Sequence, residues 1–459
     1  MKKFFTTLKH IWEIDELRDR ILFTLGLLAV YRFGSFVVLP GVVPSKLEAA
    51  AAGGSANDLI GLINIFTGGA FNQGAIFALG IMPYITASII IQLMGFAVPY
   101  FQKLQKTEGE SGRKRLNQIT RVLTIAITLV QGSAYLTYLD LQANAVDPVV
   151  GSTLFYVSGL IILSAGTIFA MWLGEKITDR GIGNGVSLLI TVGIIASLPQ
   201  AFVAEFTQRA SDGGFFIFAI ELAALFAVVM VTVLVVQGIR KIPVQYVKRM
   251  VGRGSAELGS TAASTDSIPI KVIAAGVMPI IFAQTFMFVP STLASWTAED
   301  GAVAGDGLLA RLSDPTAFAY NLLQFFLVVV FTYVYTALIV NPQQYSEYLK
   351  SRNGFIPGVK PGKPTADFID TVTTRITLPG SVALGLIAIL PGVASALFDV
   401  DFNFALFFGG TSLLIMVAVV LDTLQQIQSY LLMRRYDGLV KSGRVQGKGT
   451  SLQTIGSPV

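Results

Sequence analysis

Ten stretches of about 20 mostly apolar residues run through this chain, each long enough to cross a bilayer core as a helix rising 1.5 Å per residue. They fall near 21–39, 75–98, 122–139, 154–173, 182–202, 215–236, 272–289, 322–340, 376–397 and 404–421. In lipid every backbone polar group must find its partner within the protein, so segments of this length are helices and the fold is an all-α membrane bundle. Composition agrees with that restriction. Hydrophobic residues make up 53% of the 459 and charged residues only 13%, against roughly 25% charged in soluble domains. The length would permit about three soluble domains, but the chain has too few charges to coat them. The first stretch follows 20 mostly polar residues and outruns a signal-peptide core, so it reads as a retained span.

Basic residues in the connections orient the bundle. With the N-terminus on side one, that side carries 29 of the 33 Lys and Arg residues; side two carries Lys46, Arg209 and Arg311, and Arg32 lies within the first span. Displacing one helix would scramble this split, so topology and span count support each other, and both termini are expected in the cytoplasm. Five spans on each side of the 209–214 connection suggest two halves, 1–205 and 206–459, related as an inverted repeat.

There is no cysteine, and His10 is the one histidine. Disulfides, thiolate nucleophiles, a histidine metal centre and a Ser/His triad are thereby excluded, and no metal or cofactor is expected. The glycine run from Gly181 to Gly185 is no phosphate loop, because it lacks a preceding strand and a Gly-Lys-Ser/Thr ending; it reads as a tight helix-to-helix turn.

The connections 99–121, 237–271 and 341–375 are long and basic. Positive-inside bias accounts for the first. The second carries Arg240, Lys241, Lys248, Arg249 and Arg253, and its Ile242-Pro-Val-Gln-Tyr-Val run alternates like a half-buried strand, with Gly252 and Gly254 available for a hairpin tip. Such a hairpin suits an acidic protein or RNA phosphates. The segment 59–71 is apolar but too short and glycine-rich to span, which leaves an interfacial helix, slightly favoured, or a re-entrant piece covered by protein.

Two denser motifs carry a resemblance. Phe77-Ala-Leu-Gly-Ile-Met-Pro-Tyr-Ile-Thr-Ala-Ser-Ile-Ile-Ile-Gln-Leu-Met94, read as a helix with Pro83 inside it, and Trp172-Leu-Gly-Glu-Lys-Ile-Thr-Asp-Arg-Gly-Ile-Gly-Asn-Gly-Val-Ser-Leu-Leu-Ile190 closely resemble the signature regions of the SecY family. That family supplies the pore subunits of the bacterial Sec protein-conducting channel. The resemblance continues through Phe66-Thr-Gly-Gly, Lys106-Thr-Glu-Gly-Glu-Ser-Gly-Arg113, Tyr333-Val-Tyr-Thr-Ala-Leu, Phe355-Ile-Pro-Gly and Phe408-Gly-Gly-Thr-Ser-Leu-Leu-Ile415. It covers nearly the whole chain in order.

The resemblance implies an hourglass of two five-helix halves, closed at its waist by an aliphatic ring of Ile81, Ile85, Val186, Ile190, Ile281 and Ile415. Narrow apolar collars dewet and resist ions. It also implies that 60–71, with Ile60, Asn64, Phe66, Gly68, Gly69 and Phe71, is a plug helix, which overturns the interfacial reading. Thr86, Gln92 and Asn184 are then the polar candidates at a lateral gate through which apolar segments leave for lipid. The implied partners are SecE, SecG, the SecA ATPase, the ribosome through its rRNA and proteins, signal peptides, nascent chains and membrane lipids, in a bacterial plasma membrane. Lys360 stands in a motor-contact loop where the family usually shows arginine, so the charge is kept and the planar fork lost. The competing class is a secondary transporter of small solutes, but such proteins couple ions through midplane ionisable groups, and these spans offer only Arg32, Glu221 and Asp422. A membrane insertase with a basic residue in a hydrophilic groove is a third reading that nothing in the sequence demands.

Overall fold

The computed structural model describes residues 14–47, 66–106, 109–142, 144–147, 151–211, 214–246, 264–284, 317–398, 402–407 and 409–441, with 12, 64, 286, 287, 312 and 400. Helix α1 (Asp15–Gly34) opens the bundle with Asp15 and Glu16 in its first turn and Arg32 in its last, each charge opposing the adjacent end of the helix dipole. Turns over 68–81 lead into α2 (Met82–Ala97) and α3 (Pro99–Lys106). The sequence suggested one helix over 75–98 with Pro83 inside it. Pro83 instead occupies the first turn of α2, where its missing N–H sacrifices no intrahelical bond.

Helix α4 (Gly109–Thr137) ends in a π turn at Tyr138–Gln142, and α5 (Ser152–Arg180), α6 (Gly185–Ser211) and α7 (Phe215–Gln237) follow. Strands β1 (Ile239–Tyr246) and β2 (Ser264–Lys271) precede helical turns over 278–284. The rest comprises α8 (Phe318–Ile339), α9 (Pro342–Ser351), β3 (Gly354–Phe355), α10 (Lys363–Phe398), α11 (Phe402–Ala405) and α12 (Gly410–Lys441). Among the described residues seven helices are long and apolar enough to cross a membrane, corresponding to α4, α5, α6, α7, α8, α10 and α12. The other three expected spans fall outside that group for visible reasons. Helix α1 carries six charged residues in its 20, α2 has only 16 residues because the chain approaches it through turns, and 272–277 turn before the helix at 278.

Several hydroxyls inside the spans are satisfied locally. Thr120, Thr124 and Thr128 on α4 each donate to the carbonyl one turn back, at 2.8, 2.7 and 2.7 Å, so these three hydroxyls carry their own partners into the apolar surroundings. The α5–α6 turn is the expected tight one. Gly183 has φ +82°, and a Cβ on Gly185 would lie 2.0 Å from the Gly174 carbonyl oxygen. Side chains from three helices pin this turn: Thr24 accepts from the Ile182 N–H (3.1 Å), Gln426 from Gly183 (2.9 Å) and Thr178 from Gly185 (2.9 Å).

The basic hairpin expected near residue 242 is present. Strands β1 and β2 pair antiparallel from Ile239 opposite Lys271 to Tyr246 opposite Ser264, and the tip with Lys248, Arg249 and Arg253 lies outside the described residues. What the sequence did not indicate is that β3, from the next long connection, adds to β1 and makes a three-stranded sheet. Ile242, Val244 and Ile270 pack there against Leu349, Ile356 and Ile369. Ile369 belongs to α10, whose 36 residues give about 54 Å of helix against a hydrocarbon core of about 30 Å. The helix extends past the bilayer and the sheet is built on that extension.

Candidate functional site

The six residues expected to form the ring are brought together by four different parts of the chain. Ile81, Ile85, Ile190 and Ile415 are buried in the largest apolar cluster, and Val186 and Ile281 pack half-buried against it. At its centre is a cavity of about 20 Å³ lined by Phe66, Met82, Ile85, Ile190, Ile281, Gln284 and Ile415. Such a volume admits about one water molecule. Its walls are aliphatic, thioether and aromatic except for Gln284, a polar residue in an otherwise apolar run. Met82 and Gln284 were missed by sequence reasoning; for Gln284 the lone amide in a span was the available signal.

Phe66 reaches that cavity from the segment expected to be a plug. Of that segment Ile60 lies outside the described residues, while Asn64, Phe66 and Thr67 are helical and a turn begins at Gly68. Asn64 organises it: its carbonyl accepts from the Thr67 hydroxyl (3.2 Å) and the Gly69 N–H (2.9 Å), and its Oδ1 accepts from the Asn72 N–H (3.1 Å). Gly68 and Gly69 both have positive φ, +66° and +93°, a region costly for residues with a Cβ. Gly68 also meets α6 backbone to backbone, since a Cβ there would lie 2.9 Å from the Gly193 Cα. Phe71 stacks at a tilt on Tyr135 of α4, with ring centroids 4.6 Å apart, and its carbonyl accepts from the Tyr135 hydroxyl at 2.7 Å.

The three polar gate candidates separate. Gln92 accepts a hydrogen bond from the Tyr335 hydroxyl, joining α2 to α8, while its amide donates to Ser88 at 3.2 Å. Thr86 donates to the Met82 carbonyl of its own helix (3.1 Å). Asn184 precedes α6, where its Oδ1 accepts from the Ser187 N–H (3.3 Å). It lines a second cavity of about 230 Å³ with Ser187, Gln237, Lys271, Asp422 and Gln425. Tyr335 lies within a quoted motif, yet nothing in the sequence pairs it with Gln92.

Arg240 and Lys241 are exposed on β1, and Lys360 is exposed in the loop after β3. The carbonyl of Lys360 accepts from the Thr365 hydroxyl (2.8 Å) and that of Gly362 from Ser346 (2.6 Å), so this basic loop is tied to both flanking helices. Arg209 forms ion pairs of 2.9 Å with Glu205 of α6 and with Glu221 of α7. Both carboxylates are fully buried and the guanidinium nearly so. The remaining charges in the spans are also engaged: Arg32 donates to the Gly68 carbonyl and Asp422 accepts from Gln426 at 3.2 Å. A midplane ion relay of the kind a secondary transporter uses has no counterpart among these described residues.

The fold is that of the protein-conducting channels. It superimposes on a solved protein-conducting channel with a TM-score of 0.63 at 17% identity, covering 89% of this chain and 91% of that one. For a SecY channel described as having a plug domain that stabilises the closed state and maintains a membrane seal, the TM-score is 0.61 at 18% identity, over the same shares. Sec61 in the canine ribosome–channel complex gives 0.56 at 15% identity, also over 89% and 91%. In sequence, the chain is 37% identical to the protein translocase subunit SecY of Chlamydia trachomatis over 96% of its own length and 99% of that protein's. It is 40% identical to the Streptomyces scabiei subunit over 95% and 100%. The SecY family model matches residues 75–424. The chain belongs to the SecY family, the central subunits of protein-translocation channels.

Proposed function

We propose that Ile81, Ile85, Val186, Ile190, Ile281 and Ile415 form the collar through which an unfolded polypeptide passes, and that 60–71 seals it from the outer side. The observation that carries this reading is that Phe66 of the segment and four of the six aliphatics line one cavity of about 20 Å³. An apolar collar gives a passing chain no charge or hydrogen bond to hold it, yet resists ions when narrow. In this reading residues 1–205 and 206–459 are the two halves, and both termini face the cytoplasm of a bacterial cell through its plasma membrane. The skew of 29 basic residues to one side supports that orientation.

The gate lies where α2 faces α8, bridged by Gln92 and Tyr335, and apolar signal or transmembrane helices leave there for lipid. Interhelical hydrogen bonds in membranes average about 0.6 kcal/mol, roughly a threefold effect on an equilibrium. Gln92→Leu and Tyr335→Phe are therefore each expected to raise export of a reporter with a weakened signal sequence about threefold. The double variant is expected to do no more than either single one, because both remove one bond; additive gains would sink the bridge.

Arg240, Lys241, Lys248, Arg249, Arg253 and Lys360 form the docking face for the ribosome and the SecA motor, with SecE and SecG as companion subunits. The shared sheet of the two basic connections supports this, as does the ribosome-bound state of the similar Sec61. Lys360→Glu is expected to slow motor-driven export in reconstituted vesicles more than ribosome-driven insertion, and equal slowing would argue against a motor contact. Purification from membranes tests the whole reading: SecE-like and motor subunits co-purify with a channel and not with a solute transporter.

A further inference from the structure

Arg32 is the one basic residue placed within a span by the charge count, and the translocation reading leaves it without a task. A cation at that depth is costly unless it is engaged, and such residues mark function by default. Its guanidinium donates to the carbonyl of Gly68 and lies over the Phe36 ring, 4.7 Å from the centroid. Gly68 also abuts Gly193 of α6, and a Cβ on Gly193 would come within 2.6 Å of the Phe66 carbonyl oxygen. The Gly68 turn is thus packed against α6 and gripped by the Arg32 side chain through a main-chain atom, and a Cβ on Gly68 would lie 2.8 Å from the Arg32 guanidinium. Tyr135 holds the far end of the same segment through the Phe71 carbonyl.

We propose that Arg32 is a positioning residue that latches the plug shut, its guanidinium gripping the Gly68 carbonyl in the resting channel and releasing it on opening. The inference rests on the plug reading above. A hydrogen bond from a charged donor is among the strong ones, and its loss corresponds to roughly tenfold or more in the resting-to-open balance. Lysine retains a charged donor but loses the fork that binds carbonyl and ring together.

The chain's lack of cysteine allows a direct test. Ala70→Cys, at a fully buried plug position, is labelled in reconstituted vesicles with a bulky water-soluble maleimide, and resting ion leak is measured in parallel. With Arg32→Gln, labelling and leak are expected to rise about tenfold; Arg32→Lys falls between that variant and the parent, and Tyr135→Phe gives a smaller rise. In a channel lacking 60–71, Arg32→Gln is expected to add no leak. Unchanged labelling in both Arg32 variants, or an equal added leak without the plug, overturns the latch and leaves the plug reading standing. If deleting 60–71 does not itself raise the leak, the plug reading fails and the latch with it.

Discussion

Vesicles carrying the Ile85→Asn, Ile190→Asn double variant are expected to leak ions at least ten times faster than those carrying the parent channel. Both side chains are buried in the central cluster and face the same cavity of about 20 Å³. The barrier to an ion there is the absence of any polar group to replace its hydration shell. Two amides supply such groups and let water persist in the constriction. Each 1.4 kcal/mol removed from a barrier is about tenfold in rate, and a hydrogen bond to a charged partner is worth about 1.5–3 kcal/mol. Leucine at the same two positions keeps the walls apolar and is expected to leave conductance near the parent value. An unchanged leak in the asparagine variant would remove both residues from the collar.

Arg209→Ala is expected to cause a large loss of stability, of about 3–5 kcal/mol. The substitution leaves Glu205 and Glu221, both fully buried, facing each other without their shared cation. Breaking a buried ion pair by deleting one partner costs about 3–5 kcal/mol, because the remaining charge is stranded in a poor solvent for it. The measurement is the thermal unfolding temperature of purified protein in detergent, ranked across variants. Removing all three charges together, as Glu205→Gln, Arg209→Met, Glu221→Gln, is expected to recover most of the loss, since an uncharged set has no stranded ion. An Arg209→Ala variant that melts with the parent would show that the triad contributes little. The triad joins α6 to α7 and so bridges the connection between the proposed halves.

Much of the architecture was legible beforehand because hydropathy is a local property that a window of 20 residues reports. The departures come from residues that override hydropathy. Pro83 starts a helix instead of sitting within one, and the helix of the seventh expected span begins at 278, after turns over 272–277. The strand at Ile242–Tyr246 was readable from its period of two, but its partner β3 was not, since two residues, Gly354 and Phe355, give no periodicity. Among the gate candidates, Gln92 bridges two helices whereas Thr86 bonds its own backbone. Sequence offers no way to tell them apart, because both are simply polar residues on an apolar helix.

By itself, the sequence determined that this is a multi-span helical membrane protein with its basic residues gathered in alternate connections, and its motifs carried the family and the aliphatic residues proposed for the waist. Only the tertiary structure decided what the few charged and polar residues inside the spans do. Tyr335 and Gln92 lie 243 positions apart, as do Gly183 and Gln426, and Arg32 reaches a carbonyl 36 residues away. Such partners are chosen by how the helices pack. In lipid each buried polar group must find one, but nothing local to the residue says which.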